Sequence, residues 1–111
     1  MTREVPKEQW EDYLESVSAE YQGRPVTVLI ENEDIGSEVL VSGRPLIAIE
    51  PDMPKNTIII IAGDPQGAEP QVIRHFITNP HTIYAQQDDL GATKNIDFES
   101  QEEGKTLLTI G

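Results

Sequence analysis

The chain of 111 residues contains no cysteine. Disulfides, all-thiolate zinc sites, cysteine-held iron–sulfur clusters and thiol catalysis are therefore excluded. A chain of this length buries roughly two thirds of the surface that its unfolded form exposes, so one core is enough to hold it without cross-links. We expect a single domain over residues 1–111, and the absence of thiols fits a cytoplasmic protein.

Long hydrophobic runs are absent as well. The longest apolar run lies around Ile58–Ala62, far short of the ~20 residues that a helix needs to cross a bilayer. The N-terminal sequence MTREVPKEQW is polar and lacks the apolar segment of a secretory signal. We therefore expect a soluble protein that has no contact with the membrane.

Basic residues are few. Eight Lys and Arg stand against twenty Asp and Glu, for a formal net charge of -12, and the eight bases are scattered along the chain. A phosphate backbone would be repelled, so nucleic acid is not expected as a partner. The acidic excess indicates a solvated surface that keeps the protein in solution.

Sequence motifs of catalysis and cofactor binding are also missing. The patterns G-x-G-x-x-G, G-x-x-x-x-G-K-[ST], G-x-S-x-G and H-E-x-x-H do not occur. The acidic segment Glu31–Gly36 begins like a calcium loop, but Ile35 stands at the fifth position and Ser42 at the twelfth, where a bidentate carboxylate is needed. We interpret this segment as an acidic surface turn. The sequence predicts no catalytic residue, no metal site and no cofactor.

Aromatic residues are scarce, but half of them lie on one predicted helix. The chain has one tryptophan, three tyrosines and two phenylalanines. Within the predicted helix, residues 6–22, apolar side chains recur at helical spacing and form one stripe. Pro6 suits the first turn, and Gly23 with Pro25 ends the helix. The stripe either covers the chain's own sheet or binds a partner chain; it consists of Trp10, Tyr13, Leu14, Val17 and Tyr21.

Residues 25–110 have the pattern of strands and turns, with alternating apolar positions and no second helical period. Thr57–Ala62 is apolar without alternation, which predicts a central strand covered on both faces. Ser42–Pro45 is predicted to link two strands as a hairpin, and Asp64–Gly67 to form a turn. The fold class is therefore α+β and mainly β. The helix closes one open end of about seven short antiparallel strands, arranged as a small curled sheet or barrel, with a β-sandwich as the alternative.

Both histidines lie in the segment RHFITNPHTIYAQ. His75 and His81 would be about 20 Å apart on one extended strand, too far to share a metal ion. A tight hairpin between them is disfavoured, because Pro80 fixes its own φ and pushes Asn79 to extended geometry. The segment is predicted to be a bent or interrupted strand. His75 shares a face with Ile73 and is expected to hydrogen-bond a backbone carbonyl, whereas His81 is expected at the surface.

Five short motifs are spread over nearly the whole chain. They are Arg3-Glu4-Val5-Pro6 with Gln9-Trp10, Gly23 with Val26-Thr27-Val28, Asp34-Ile35-Gly36, His75-Phe76-Ile77-Thr78-Asn79-Pro80, and Gly104 with Thr106-Leu107-Leu108. In these motifs the chain resembles a family of short bacterial proteins that is classed as a domain of unknown function. The resemblance implies a bacterial, cytoplasmic, stand-alone domain, and it implies no activity, cofactor or catalytic residue for this chain.

Two classes of function remain at this point. The leading hypothesis is a non-enzymatic interaction or scaffold-like module, which binds a protein partner or a second copy through the helix stripe or through an uncovered edge strand. The alternative is a β-barrel that binds a small molecule or metal, or acts as an enzyme, with His75 and carboxylates from other strands meeting in a cavity.

Overall fold

The structure, a computed structural model, describes residues 1–67 and 71–111. One short helix and eight antiparallel strands form a mainly β, α+β fold, as the sequence predicts. The elements are β1 (Thr2–Glu4), a 3₁₀ turn (Lys7–Gln9), α1 (Trp10–Tyr21), β2 (Pro25–Asn32), β3 (Gly36–Asp52), β4 (Thr57–Asp64), β5 (Gln71–Thr78), β6 (Pro80–Gln87), β7 (Thr93–Ser100) and β8 (Gly104–Ile110).

The strands make one sheet in the order β1-β6-β7-β8-β2-β3-β4-β5. Of the predicted alternatives the curled sheet is the one observed, because β1 and β5 at its two ends do not pair with each other in the described residues. Thr57–Ala62 lies in β4, which has a neighbour on each side, β3 and β5. The strand is second from the end of the sheet, and Ile59 on its outward face is only partly buried, so the predicted cover of both faces is incomplete. The predicted turn after it is present, with the N–H of Gly67 donating to the Asp64 carbonyl at 3.2 Å.

The hairpin predicted at Ser42–Pro45 is wrong. These residues lie inside β3, a continuous strand of 17 residues whose first part pairs with β2 and whose last part pairs with β4. Gly43 has φ 68 and is skipped in the pairing with β2, so it forms a bulge that lets the strand continue. Glycine and proline therefore mark a bend within one strand here. Because β3 pairs with β2 before the bend and with β4 after it, the bend contributes to the curl of the sheet.

Two further features of the strands differ from what the sequence predicts. The three-residue strand β1 was not predicted, since its polar sequence shows no alternation; it pairs with β6 at Tyr84–Gln86. Asn79 has φ 52, which is left-handed instead of extended. Its N–H donates to the Asn56 carbonyl at 2.9 Å and its side-chain amide donates to Glu102 at 2.7 Å. These two hydrogen bonds hold Asn79 in a conformation that asparagine tolerates.

The helix fills the concave side of the curled sheet. Four of its side chains, Trp10, Leu14, Val17 and Tyr21, are buried in the same core as the inward residues of the strands. The core residues that are less than 1% exposed are Leu14, Val28, Ile83, Ala85, Ile96, Phe98 and Leu108. The described part of the chain has no helix long and apolar enough to span a membrane.

Polar contacts tie the helix to separate parts of the chain. The indole N–H of Trp10 donates to the Val5 carbonyl at 2.8 Å. The hydroxyl oxygen of Tyr21 accepts from the Thr93 N–H at 2.9 Å, and the Ser18 hydroxyl accepts from the Ile49 N–H on β3 at 2.9 Å. The helix is therefore fixed to β3, to the start of β7 and to the segment that follows β1.

We expect Trp10→Ala to destabilise the fold by about 3–5 kcal/mol, because it leaves a large cavity and unpairs the Val5 carbonyl. The free energy of unfolding is measured by urea denaturation. Leu90→Ala is the control, since Leu90 is 94% exposed and its truncation should change stability by less than about 0.5 kcal/mol. Equal stability of the two variants would contradict the observed packing.

Gly43→Ala tests the bulge in β3. A Cβ at this position would have no atom within 4 Å, so the penalty comes from the left-handed backbone alone and should be about 1–2 kcal/mol. Thermal and urea unfolding measure it, with the exposed neighbour Ser42→Ala as control. A neutral Gly43→Ala variant would mean that the strand passes this point in another conformation.

Candidate functional site

The aromatic helix stripe is core. Trp10 is 1% exposed and Leu14 is 0% exposed, while Tyr13 is partly buried, with its hydroxyl 3.2 Å from the Thr93 hydroxyl. Of the two interpretations of the stripe, the structure supports the one in which it covers the chain's own sheet. The alternative, an exposed surface for a partner, is corrected for Trp10, Leu14, Val17 and Tyr21, because they are already covered by strands of the same chain.

His75 lies on the inner side of β5 and is partly buried. Its Nε2 is 2.9 Å from the hydroxyl of Thr106 on β8, so the partner is a threonine side chain and not the expected backbone carbonyl. Burial lowers the pKa of His75, and the nearby charge of Glu103 partly offsets this effect. The histidine therefore bridges β5 and β8, and its burial favours the neutral imidazole over the charged one.

The segment with both histidines is bent, as predicted, at Asn79. His75 is on β5, which pairs with β4, and His81 is on β6, which pairs with β7. His81 is exposed, with its Nδ1 2.7 Å from the Thr82 hydroxyl. The bend is held from the end of β7, since the Ser100 hydroxyl donates to the Thr78 carbonyl at 2.7 Å.

An acidic groove of about 760 Å³ runs between the turn after β2 and the turn after β7. The segment interpreted as an acidic surface turn forms one wall: the Asn32 side-chain oxygen accepts the N–H groups of Asp34 and Ile35 at 3.0 and 2.8 Å. The ionisable residues that line the groove are Glu31, Glu33, Asp34, His81, Glu99, Glu102 and Lys105. Within residues 1–67 and 71–111 no three His, Asp or Glu side chains are grouped closely enough to hold a metal ion.

The outward face of the sheet carries a row of apolar side chains, which we call the outer stripe. Directly paired residues of antiparallel strands share a face, and the pairs Tyr84–Asp97, Asp97–Leu107, Leu107–Leu29 and Leu29–Val39 follow one another across β6, β7, β8, β2 and β3. Four strand spacings give the row a length of about 19 Å. Val39 is 56% exposed, and the other four are partly exposed.

Asp97 is the one charged member of the outer stripe. Its Oδ2 is 3.2 Å from the Lys105 ammonium, and this hydrogen bond raises the pKa of Lys105. Oδ1 is buried and has no hydrogen-bond partner among the described residues. Asp97 also lines a hollow of about 310 Å³, together with Thr2, Tyr84, Gln86, Asn95 and Leu107. The stripe thus combines apolar area with a hollow that contains one carboxylate.

The outer face carries more acid than base around the stripe. Glu4 is paired with Tyr84 at one end of the row, and Glu99 and Glu31 lie on either side of Lys105 in the neighbouring row. With Asp97, four carboxylates therefore share this part of the face with one ammonium group. Such a field attracts a positively charged surface.

The outer stripe was not predicted, although a signal for it is present in the sequence of the strands. Leu29 and Leu107 each stand next to a core residue, Val28 and Leu108, so they occupy the phase that faces solvent. In an antiparallel sheet with one covered face, the positions that face solvent are normally polar. Apolar residues in the solvent-facing phase of two neighbouring strands are the signal that could have located the surface.

The fold and these surfaces define a class: a small acidic α+β protein whose core is complete and whose outward sheet face is partly apolar. The chain belongs to a family of unknown function (DUF5335), whose model matches residues 1–110. It is 30% identical to an uncharacterized protein of Aquifex aeolicus (strain VF5) over 109 residues, which cover 98% of this chain and 91% of that protein. The comparison with solved structures found no match.

His75 makes stability depend on pH with a defined sign. Because its pKa in the folded state is below the ordinary value of 6.5, the unfolded chain takes up the proton first as the pH falls. We therefore expect the wild type to lose stability relative to His75→Gln as the pH drops below about 6.5, measured as the difference in Tm at matched pH values. The exposed His81→Gln is the control for loss of an imidazole. A difference between wild type and His75→Gln that is constant from pH 7.5 to 5.5 would contradict the burial of His75.

Proposed function

We propose that this chain is a non-enzymatic protein-interaction module that binds a positively charged protein through the outer stripe. The observation that carries the proposal is the row on the solvent-facing side of five strands, in which four of the five side chains, all except Asp97, are apolar or aromatic. An exposed apolar row with a polar rim is typical of interaction surfaces. Its tyrosine belongs to a residue type that is enriched in binding hot spots.

The charged residues in and beside the outer stripe favour a basic partner. The carboxylates of Glu4, Glu31, Asp97 and Glu99 lie in or beside the stripe, and Lys105 is already engaged by Asp97. Nucleic acid does not fit this face, because its phosphates would be repelled by the carboxylates. A protein segment with apolar side chains and Lys or Arg at its margins is the chemistry that complements both features.

The alternative function, a ligand or metal site at His75, is less well supported. His75 is engaged by the Thr106 hydroxyl, and it lines neither the acidic groove nor the hollow beside Asp97. Thr106 is only 5% exposed, so a ligand could approach this pair only from the side of the partly buried His75. We further propose that residues 1–111 act as one domain and that the module works in the cytoplasm, which fits the thiol-free sequence.

The test compares proteins retained by the purified chain from extracts of its own cells. Leu107→Lys places a positive charge in the middle of the outer stripe and removes apolar area, so it should lower the retained amount of a stoichiometric partner at least about tenfold, equivalent to roughly 1.4 kcal/mol. Leu90→Lys introduces the same chemistry on a loop outside the stripe and should retain the partner. Quantitative mass spectrometry measures the amounts, and circular dichroism checks that both variants fold.

Salt provides a second measurement on the same complex. If carboxylates at the rim attract a basic partner, raising the salt from about 0.1 to about 0.5 M shortens the Debye length and should weaken retention. A partner that is retained equally by wild type and Leu107→Lys, or more strongly at high salt, would contradict the proposal.

A further inference from the structure

The strand β5 forms one end of the sheet and pairs only with β4 in the described residues. At its C-terminal end, the N–H of Thr78 donates to the Glu103 carboxylate and the Thr78 carbonyl accepts from Ser100. Both groups of Thr78 therefore point away from β4. In an antiparallel strand the N–H and C=O of one residue point to the same side, and the side alternates along the chain.

It follows that the peptide groups of Val72, Arg74 and Phe76 also point away from β4. No described backbone or side-chain group hydrogen-bonds to them. These three residues, at every second position of β5, thus present unpaired N–H and C=O groups along one edge of the sheet. Such an edge is a template for another strand unless it is blocked by proline, by a bulge or by a covering element.

The side chains at this edge are partly apolar. Phe76 is 51% exposed and is paired with Ile59 of β4 on the outward face. In the next row of the same face, Arg74 is paired with Ile61. A strand added at the edge would cover the free side of Phe76 and extend this face.

Charge selects the kind of strand that can be added. The chain as a whole carries -12, so two copies repel each other over most of their surface, but between Asp64 and Asp88 the sequence contains a single acid, Glu69. The strand β5 itself contains Arg74 and His75 and no carboxylate. The carboxylates of Glu103 and Glu102 lie at the C-terminal end of this edge, on Thr78 and Asn79. Two copies can therefore meet along Val72–Phe76, where the contacting strands carry Arg74 and His75 and no carboxylate.

We propose that two copies of this chain pair through β5, antiparallel and about a two-fold axis at His75. In this register Arg74 of each copy lies opposite Phe76 of the other, so each guanidinium can pack on a phenyl ring. Each Arg74–Phe76 pair exchanges two backbone hydrogen bonds, because both residues have outward peptide groups. The contact is isologous, because the same β5 edge is used in both copies. Once the two edges have paired, neither can add a third copy, so the assembly stops at the dimer.

This dimer leaves the outer stripe of each copy free, so it is independent of the proposed function and would present two stripes to a partner. The salt dependence also differs. Screening of the like charges on the two copies should tighten the dimer, whereas screening should weaken a complex between the acidic outer face and a basic protein.

The test is sedimentation velocity of the purified full chain over about 1–100 μM, a range that resolves micromolar association. The wild type should change from monomer to dimer as its concentration rises. Arg74→Pro removes one outward N–H that β4 does not use, and an edge strand tolerates proline at such a position; it should weaken the dimer at least about tenfold. Leu90→Ala, on an exposed loop, should dimerise like the wild type.

Phe76→Lys is the second variant, in case Arg74→Pro does not fold as judged by circular dichroism. It places an ammonium opposite Arg74 of the other copy and should also weaken the dimer. The proposal is overturned if the wild type stays monomeric over the whole range, or if it forms a dimer that both variants leave intact. Occupation of the β5 edge by a different protein, with no self-association, overturns it equally.

Discussion

The packing of one helix stripe into the concave side of an open sheet is the interaction on which the rest of the structure depends. The strands do not close on themselves by hydrogen bonds in the described residues, and the chain has no cysteine for a covalent link. Trp10 and Tyr21 supply apolar volume where the curled sheet would otherwise be open, and each also makes a hydrogen bond to the body of the protein. Burial of this stripe is what completes a single core.

Because the helix stripe is used for the core, the two proposed associations involve other surfaces of the sheet. The outer stripe and the β5 edge differ in chemistry: the first is largely apolar with carboxylates beside it, and the second has free peptide groups on a strand that contains no carboxylate. The proposals therefore assign a positively charged partner to the first surface and a second copy of the chain to the second. The net charge of -12 disfavours contact between two copies through their acidic surfaces.

Periodicity made much of the fold predictable. The helical spacing of Trp10, Leu14 and Val17 located the helix and its buried side, and the unbroken apolar run in Thr57–Ala62 located a strand with neighbours on both edges. These patterns record burial directly, because a side chain that faces the core must be apolar wherever the period brings it inward. The bend at Asn79 was also predictable, since Pro80 excludes a tight hairpin.

Features that depend on backbone detail or on strands distant in sequence were not predictable in the same way. Gly43 has the sequence signature of a turn, and only its pairing with β2 shows that it forms a bulge within β3. Asn79 is left-handed because Asn56 and Glu102 hold it there, and both come from other parts of the chain. The outer stripe exists only once the register aligns its five strands, although Leu29 and Leu107 already break the alternation in their own strands.

The central claim is that the helix serves the core while the outward sheet surfaces serve association. Backbone hydrogen exchange of the wild type at low and high protein concentration tests it most directly. The account predicts slow exchange in Trp10–Tyr21 that does not change with concentration, and exchange at Val72, Arg74 and Phe76 that slows as the concentration rises. Exchange in the helix that slows with concentration, with the β5 amides unchanged, would contradict it.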